Sequence, residues 1–503
     1  MSSETNTYHD SLHRDVEQGL RGLIAYRGIW DDAVLRSFRS LVTELRTVPV
    51  VKDSVNDSAS SESALSAFGD RVAMAYFNFL SELLSSSTAK PSVDIGTLWQ
   101  EHLLDVILFC PSLVMEALCR EGEPQGGVYD EAIEHDLKLL SQLFWAFENG
   151  LGQLILDTIG DAPVPESGLL ERLHGGLNLE GTGKLRSEAS KDPSTEAASE
   201  NALTGGASPS AEEVLTAAAL KLKKRFFKTR NWTELLPALI HYHSRYGTGE
   251  YARCAAFTWH SGFEGGLVGI RVSDPIRLHE LSGYEEQVQQ VVQNTQRFLE
   301  GLPAHNLLLY GDRGTGKSST VKGLLHRFAY QGLRLVEVGR GDLGGLHKLM
   351  DHLGRCSLRF VLFIDDLSFE DDETEFKELK SVLEGSVVSQ PGNVRVYATS
   401  NRRHLIKERF SDVASKDEVR WQDTVQEKLS LSDRFGRTIV FPSPDQKTYL
   451  AIVEHLAELA ELPIGKEELR ARALQWTLWH NERSGRTARQ FVDELQAELH
   501  SKS

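Results

Sequence analysis

Apolar residues recur at helical spacing through the first 160 positions of the chain. One group near the end of this region has apolar residues three or four positions apart: Ile133, Leu137, Leu140, Phe144 and Phe147. Residues at this spacing share one face of a helix. A second apolar stretch, 98–110, ends at Pro111, where the missing amide hydrogen stops a helix. The pattern predicts a helical accessory domain over 1–160.

The pattern changes after residue 160. Between about 161 and 212 the sequence is rich in Gly, Ser, Ala, Glu and Pro and poor in large apolar residues. Such a segment buries too little apolar surface to offset its loss of conformational entropy on folding, so we predict a disordered linker over 161–212. Helical spacing returns at Ala211, and we predict a helical connecting segment over 213–269.

From residue 270 onward, short apolar runs alternate with stretches of helical spacing. The runs predicted as strands are 307–310, 333–338, 360–364, 395–400 and 438–441. The third run is apolar throughout, which is typical of a central parallel strand that is covered on both faces. Strands that alternate with helices form parallel sheets. The pattern therefore predicts a doubly wound α/β core over 270–442, followed by a helical region over 443–503.

The composition is that of a globular protein and sets an electrostatic constraint. Hydrophobic residues make up 40% of the chain and charged residues 25%, and the formal net charge is −17. This negative charge repels nucleic acids and anionic membranes at long range, so we do not expect the surface as a whole to bind polyanions. A local basic patch is still compatible with this negative net charge.

The sequence favours a cytoplasmic protein without a membrane segment. Its N-terminus is polar and carries an acidic residue early, unlike a secretory leader. The most apolar long stretch, 137–159, contains charged residues that a membrane-spanning helix tolerates poorly. The four cysteines include no C-x-x-C pair, which indicates neither a disulfide framework nor a zinc site.

The most specific chemistry lies between the first predicted strand of the core and the helix after it. There the sequence Gly311-Asp-Arg-Gly-Thr-Gly-Lys-Ser318 spells G-x-x-x-x-G-K-S, the phosphate-binding loop. Its glycines let successive amide groups point inward, and the helix aims its partial positive end at the same point. Lys317 reaches the β and γ phosphates of a nucleotide, and Ser318 ligates Mg²⁺. The predicted nucleotide-binding residues of the loop are Gly311, Asp312, Arg313, Gly314, Thr315, Gly316, Lys317, Ser318 and Ser319.

Polar side chains also follow two later strands of the predicted sheet. Asp365 and Asp366 come directly after the apolar run 360–364, and Asn401 follows the run 395–400. Open α/β sheets bind their ligands at the carboxyl ends of the strands. We expect Asp365 to hold Mg²⁺ and Asp366 to polarise the attacking water. We expect the Asn401 amide to bind that water or the γ phosphate without adding charge.

One helix outside the core carries a basic face. In the stretch 211–230, Lys221, Lys224, Arg225 and Lys228 share one side, opposite Leu215, Ala219, Leu222 and Phe226. With Phe227 and Trp232 nearby, this helix is the best candidate in the chain for binding a nucleic acid or another anionic partner. The alternative is a solvated face of a packed helix.

Together these motifs resemble those of AAA+ ATPases, and in particular the domain-of-unknown-function 815 family of predicted ATPases. The segments that carry the resemblance are Tyr310-Gly-Asp-Arg-Gly-Thr-Gly-Lys-Ser-Ser319, Leu362-Phe-Ile-Asp-Asp-Leu-Ser-Phe369, Ala398-Thr-Ser-Asn-Arg-Arg-His-Leu405 and Leu431-Ser-Asp-Arg-Phe-Gly436. The resemblance covers approximately 245–500 and implies an oligomer whose residues 443–503 form a helical lid.

The resemblance also implies roles for individual residues. Asn401 corresponds to the sensor-1 residue, and Arg434 to the arginine finger that reaches the γ phosphate of a neighbouring subunit. Arg489 corresponds to the sensor-2 residue of the lid, with Arg486 as the alternative. A guanidinium is always charged and forked, so it can stabilise charge that spreads over phosphate oxygens.

Two departures from the family pattern bear on the activity. The second acid is Asp366, where most of the superfamily has a glutamate, which favours slow turnover. The segment 339–345 lacks the aromatic loop of a polypeptide-threading pore. The favoured hypothesis, which rests on the motifs above, is an oligomeric ATPase that acts on a macromolecular partner, although the two departures point towards the alternative. The alternative is an ATP-dependent binding or loading module with little turnover, with a nucleic acid as one partner class.

Overall fold

The computed structural model describes residues 16, 22–46, 58–86, 94–121, 127–159, 209–262, 266–367, 379–383, 390–401, 434–480 and 482–501. The chain divides into two compact units, Met1–Ala207 with Ala218–His243 and Ser208–Ala217 with Ser244–Ser503. Most of the predicted linker, residues 161–208, lies outside the described residues.

The regular elements that the structure describes in the first unit are all helices. Its helices are α1 (Ala33–Arg46), α2 (Ser58–Ser86), α3 (Ile95–Phe109), α4 (Leu113–Glu121), α5 (Val128–Phe144) and α6 (Leu151–Ile159). Two further helices, α7 (Ala211–Lys228) and α8 (Leu236–Tyr246), have residues in both units, and the short helix α9 (Glu250–Arg253) belongs to the second.

Aromatic side chains form the centre of the first unit. Phe38 stacks on Trp99 with 4.1 Å between ring centroids, and Phe79 stacks on Phe147. The apolar face predicted for 133–147 is buried against this core. Among the described helices, none alone has the length and hydropathy of a membrane span, and α3 and α4, bent by 58°, pass that test only as a pair.

The second unit is built on a seven-stranded sheet with the strand order β2-β1-β4-β5-β6-β3-β7. The strands are β1 (Ala256–Trp259), β2 (Leu267–Ile270), β3 (Leu307–Gly311), β4 (Leu333–Val338), β5 (Arg359–Ile364), β6 (Val394–Asn401) and β7 (Arg437–Phe441). All neighbouring pairs are parallel except β1 with β2. This arrangement confirms the prediction of a mainly parallel α/β sheet.

The sheet begins earlier in the chain than the sequence predicted. The segment 213–269 was expected to be helical, yet β1 and β2 lie within it, and β1 pairs in parallel with β4. Each of these two strands has only four residues. So short a run gives little periodic signal, and its assignment depends on the neighbouring strand that satisfies its backbone hydrogen bonds.

Helices cover both faces of the sheet. Val361 and Phe363 of β5 join an apolar cluster with α10 (Glu285–Leu299), α11 (Lys317–Phe328), α13 (Gln446–Leu459), α14 (Lys466–His480) and α15 (Gly485–Ser501). The alternate residues Phe360, Leu362 and Ile364 join a second cluster with α12 (Leu346–Gly354). These five side chains of β5 are fully buried, which explains why positions 360–364 are all apolar, while Arg359 at the start of the strand is half-buried.

A buried arginine links β4 to the segments around it through hydrogen bonds. The guanidinium of Arg334 in β4 is fully buried and donates hydrogen bonds to carbonyl oxygens that belong to Tyr246, Tyr251, Ala329 and Leu333. The last four carbonyl groups of a helix have no partner within it, so this arginine supplies donors where the local backbone lacks them.

We expect Arg334→Leu to lower the stability of the second unit by about 3 kcal/mol or more, because buried carbonyls lose their donors. The measurement is the melting temperature, which should fall by roughly 6 °C or more in a unit of this size. The exposed Arg297 provides the control, and Arg297→Leu should leave the melting temperature nearly unchanged. Equal melting temperatures for the two variants would contradict this role.

Candidate functional site

The phosphate-binding loop joins the end of β3 to the start of α11. Gly311, the last residue of β3, packs so closely on β7 that a Cβ atom there would collide with the carbonyl oxygen of Phe441. Gly316 caps the N-terminus of α11 with φ of 86°, a left-handed conformation that favours glycine. The loop therefore requires glycine at these positions, and the free amide groups of α11 point into it.

The amino group of Lys317 lies under this loop. Its Nζ donates to the carbonyl oxygens of Gly311 at 3.0 Å and Asp312 at 2.7 Å, and lies 3.3 Å from Oδ1 of Asn401. Burial lowers the pKa of Lys317 from its usual 10.5 to about 8, although nearby acidic groups, first Asp312, favour the charged form. A buried cation that holds only neutral partners is suited to bind an anion.

Ser318 and Asp365 meet as the sequence predicted. The Ser318 hydroxyl donates to Oδ1 of Asp365 at 2.6 Å, and the Thr399 hydroxyl donates to the same oxygen at 2.6 Å. The Thr399 hydroxyl also accepts from the amide of Asp366 at 2.8 Å. Thr399 on β6 therefore fixes the turn that presents both acids.

Asp366 is held by two side chains. It has φ of 52°, which is uncommon for a residue other than glycine. Asn401 donates from Nδ2 to its Oδ1, and the guanidinium of Arg340 lies 3.1 Å from its Oδ2. The acid and the amide that sequence predicted are thus in contact, and Arg340 joins them.

Arg340 and Thr399 are the residues that sequence reasoning missed. Arg340 begins a short 3-10 helix, Arg340–Gly345, directly after β4, and β4 lies beside β5 in the sheet. The rule that identified Asp365, a polar residue at the carboxyl end of a strand, would have identified Arg340 as well. The contact between Arg340 and Asp366 depends on which strands are neighbours.

The remaining loop residues have structural contacts or face solvent. Asp312 accepts a hydrogen bond from the Ser443 hydroxyl, and Thr315 donates to the carbonyl oxygen of Asp312 at 2.9 Å. Arg313 is exposed, while Ser319 is half-buried in the first turn of α11. Of these, only Arg313 has a side chain that extends freely from the loop.

The C-terminal helices meet the phosphate-binding loop through α15. The amide of Arg486 donates to the carbonyl oxygen of Gly314 at 3.3 Å, and Ser484 lies against the same glycine. Arg489, one turn further along α15, forms an ion pair at 2.5 Å with Glu280. Glu280 ends the 3-10 helix Leu278–Glu280, which lies before α10. Arg486 therefore lies against the loop, whereas the guanidinium of Arg489 is paired with Glu280.

Arg434 does not join the other predicted site residues. It lies in the turn before β7, and β7 runs parallel to β3 with Arg437 opposite Leu307. The loop follows Gly311, at the other end of β3, so about 13 Å of strand separates the two edges. An arginine at this edge is too far from the loop of its own chain to contact a nucleotide there.

The residues at the loop fit a magnesium ion. Mg²⁺ prefers oxygen ligands, and it commonly takes one or two carboxylates together with substrate phosphates and water. Ser318 and Asp365 present a hydroxyl and a carboxylate oxygen within 2.6 Å of each other. These oxygens would hold the ion, and the ion would neutralise charge on the phosphates.

The geometry defines a phosphate-loop nucleotide-binding fold. The loop strand β3 lies between β6 and β7, and β5 carries the paired acids. Residues 252–499 match the model of the family described as "Protein of unknown function (DUF815)". Over these 248 of its 503 residues, the chain is similar to that family.

Solved structures of RuvB from Thermotoga maritima are also similar to the chain. One mutant form has 18% identity and a TM-score of 0.31, and the match covers 45% of this chain and 67% of that chain. A second mutant form has 18% identity, covers 45% and 72%, and has a TM-score of 0.28. The form described as a Holliday junction branch migration motor has 17% identity, covers 45% and 72%, and has a TM-score of 0.27. At TM-scores this low we draw nothing about this chain from them. No curated protein matches the sequence.

Lys317 should make the stability of the nucleotide-free protein depend on pH. Because its pKa falls from 10.5 to about 8 on folding, the burial cost is fully present below pH 8 and disappears as the pH rises to 10.5. We expect Lys317→Met to be more stable than the wild type by about 1–3 kcal/mol at pH 7. The difference in melting temperature should shrink toward pH 10.

The exposed Lys348 provides the control for this experiment. The variant Lys348→Met should differ from the wild type by the same small amount at both pH values. A stability gain in Lys317→Met that stays constant or grows toward pH 10 would show that the charge on Lys317 is not the cause.

Proposed function

We propose that this protein binds ATP with Mg²⁺ and hydrolyses it, and that hydrolysis drives movement between the α/β core and the helical lid of an oligomer. The observation that carries the proposal is the 2.6 Å hydrogen bond between Ser318 and Asp365, beside the buried amino group of Lys317. An amine, a hydroxyl and a carboxylate at the N-terminus of one helix match the needs of a triphosphate and its metal ion.

Each residue at the strand ends has a role in this reaction. Lys317 and the amides of the loop bind the β and γ phosphates. Asp366 accepts a proton from the water that attacks the γ phosphorus, and the bond to the β phosphate oxygen breaks. Asn401, which lies between Lys317 and Asp366, orients that water.

Arg434 supports the proposal of an oligomer. It lies at the edge of the sheet opposite the loop, so a γ phosphate that it contacts belongs to a second copy of the chain. A guanidinium supplied from a neighbouring subunit stabilises the charge that develops during phosphoryl transfer. Each site is then complete only in the assembled protein.

The helical lid supports the proposed coupling to movement. Arg486 and Ser484 lie against the loop, and the ion pair of Arg489 with Glu280 joins α15 to the segment before α10. A triphosphate in the loop attracts arginines of the lid, so that binding and loss of the γ phosphate change the contacts of α15. These contacts are the proposed link between hydrolysis and lid position.

A module that binds ATP but seldom hydrolyses it is the second candidate function. The observation that favours it is the environment of Asp366, whose carboxylate is already bound by Arg340 and Asn401. Both carboxylate oxygens are engaged in these contacts, so neither is free to accept a proton from an attacking water. In this alternative, ATP binding alone controls the partner, and the wild type binds ATP tightly with near-zero turnover.

We expect Lys317→Ala to lose ATP binding by at least about 100-fold, because the triphosphate loses its buried cation. We expect Asp366→Asn to retain binding and to lose turnover by about 100-fold or more, since the amide cannot accept the proton. The measurements are a titration with a fluorescent ATP analogue and phosphate release at steady state.

The exposed Lys348 again serves as the control, and Lys348→Ala should match the wild type in both measurements. Unchanged ATP binding in Lys317→Ala would refute the site. Tight binding with near-zero turnover in the wild type itself would favour the binding module over the enzyme.

The proposed role of Arg434 predicts that sites complement one another between chains. ATPase activity per molecule should rise with protein concentration, and Arg434→Ala should lower it by about 1,000-fold. A mixture of Arg434→Ala with Lys317→Ala should recover activity, because the second variant supplies Arg434 to the intact loop of the first. A mixture no more active than its two components would rule out the role in a neighbouring subunit.

A further inference from the structure

Four cations lie on one exposed face of α7 and have no role in the proposed ATPase site. They are Lys221, Lys224, Arg225 and Lys228, here called the basic stripe. Their spacing of three and four residues places them in a row along the helix. From the first to the last, the row extends about 10 Å.

The described structure does not neutralise this stripe. No described carboxylate lies within 4 Å of any of its four charges, whereas the adjacent Lys223 forms an ion pair with Asp105 at 2.6 Å. Arg230, just beyond the helix, pairs with Glu148 and covers the ring of Trp145. Single cations in this region are therefore paired, and the row is not.

Neighbouring charges within the stripe repel one another. Like charges three and four residues apart destabilise a helix. The helix dipole favours the cations of the last turn, Arg225 and Lys228, but not Lys221 and Lys224, which lie further from the C-terminus. An external partner with a row of negative charges would remove the repulsion along the whole stripe.

The opposite face anchors the stripe to the first unit. Leu222 and Phe226 are buried, and Phe226 packs edge-on against Trp232 with 4.8 Å between ring centroids. Phe227 packs edge-on against Phe144. Trp232 is fully buried, and the half-buried ring of Phe227 is engaged by Phe144, so these rings do not form a surface for stacking on bases as the sequence had suggested.

We propose that the basic stripe binds the phosphate backbone of a double-stranded nucleic acid without reading its sequence. A duplex presents one phosphate per 3.4 Å of its axis on each strand, so several phosphates lie within reach of a row about 10 Å long. A rigid duplex backbone matches a rigid row of cations and needs no stacking of bases. The net charge of −17 confines such binding to the stripe and makes it sensitive to salt.

The experiment uses the full-length protein and a fluorescein-labelled DNA duplex of about 30 base pairs, with binding followed by fluorescence anisotropy between 50 and 200 mM salt. The test variant carries Lys221→Gln, Lys224→Gln, Arg225→Gln and Lys228→Gln, since glutamine preserves helix propensity. The matched control removes the same charges from exposed positions elsewhere: Lys138→Gln, Arg297→Gln, Lys348→Gln and Lys447→Gln.

We expect the stripe variant to bind the duplex at least about 10-fold more weakly at 50 mM salt, and the slope of log K against log salt to fall by about 3 to 4. The control variant should change affinity by less than about 3-fold. Circular dichroism checks that both variants keep their helices. Equal affinities for the wild type and the stripe variant, or no binding by the wild type, would overturn the proposal.

Two further measurements distinguish duplex binding by the stripe from effects of the nucleotide site and from membrane binding. Lys317→Ala should bind the duplex like the wild type, so loss of the nucleotide site and loss of the stripe are distinguishable. Vesicles that contain phosphatidylserine test the other extended anionic surface. Sedimentation of the wild type with vesicles, together with no binding to duplex, would assign the stripe to membranes and overturn the proposal.

Discussion

Ser318 and Asp365 are 47 residues apart in sequence and 2.6 Å apart in space, and the rest of the candidate site depends on this contact. It exists because β3, β5 and β6 run parallel, so that the residues after each strand emerge at the same edge of the sheet. Gly311 pairs in register with Asn401, which brings the loop beside that amide. The sheet is thus the device that assembles the site.

The site gathers charges that a folded protein ordinarily keeps in water. Lys317 is only 6% exposed and holds carbonyl and amide oxygens rather than a carboxylate. Such an arrangement costs stability, and the apolar clusters on both faces of the sheet offset it. Binding of an anion would stabilise this site, because the anion supplies the counter-charge that Lys317 lacks.

Two charged groups near the loop already have charged partners within the chain. Asp366 is bound by Arg340 and Asn401, while Arg489 is bound by Glu280. Exchange of one charged partner for another leaves no group buried without compensation, so it can occur at little net cost. The contacts of these residues therefore form a set that would rearrange if a triphosphate entered the loop.

The sequence by itself determined the loop, the acids and Asn401, because these residues follow local rules: glycines where the backbone curls, apolar runs that become buried strands, and polar residues at strand ends. It also predicted the buried face of α5 from its spacing. The sequence did not predict the short strands β1 and β2, because four residues of mixed polarity show no hydrophobic periodicity.

Only the tertiary structure decided which side chains meet. Arg340 contacts Asp366 because β4 lies beside β5, and Arg434 lies far from the loop because β7 runs parallel to β3. Phe227 and Trp232 flank the basic stripe in sequence, yet they pack inward, since apolar burial outweighs any surface role. Neighbour relations between strands and the inward direction of aromatic side chains are properties of the packed chain, and no local pattern contains them.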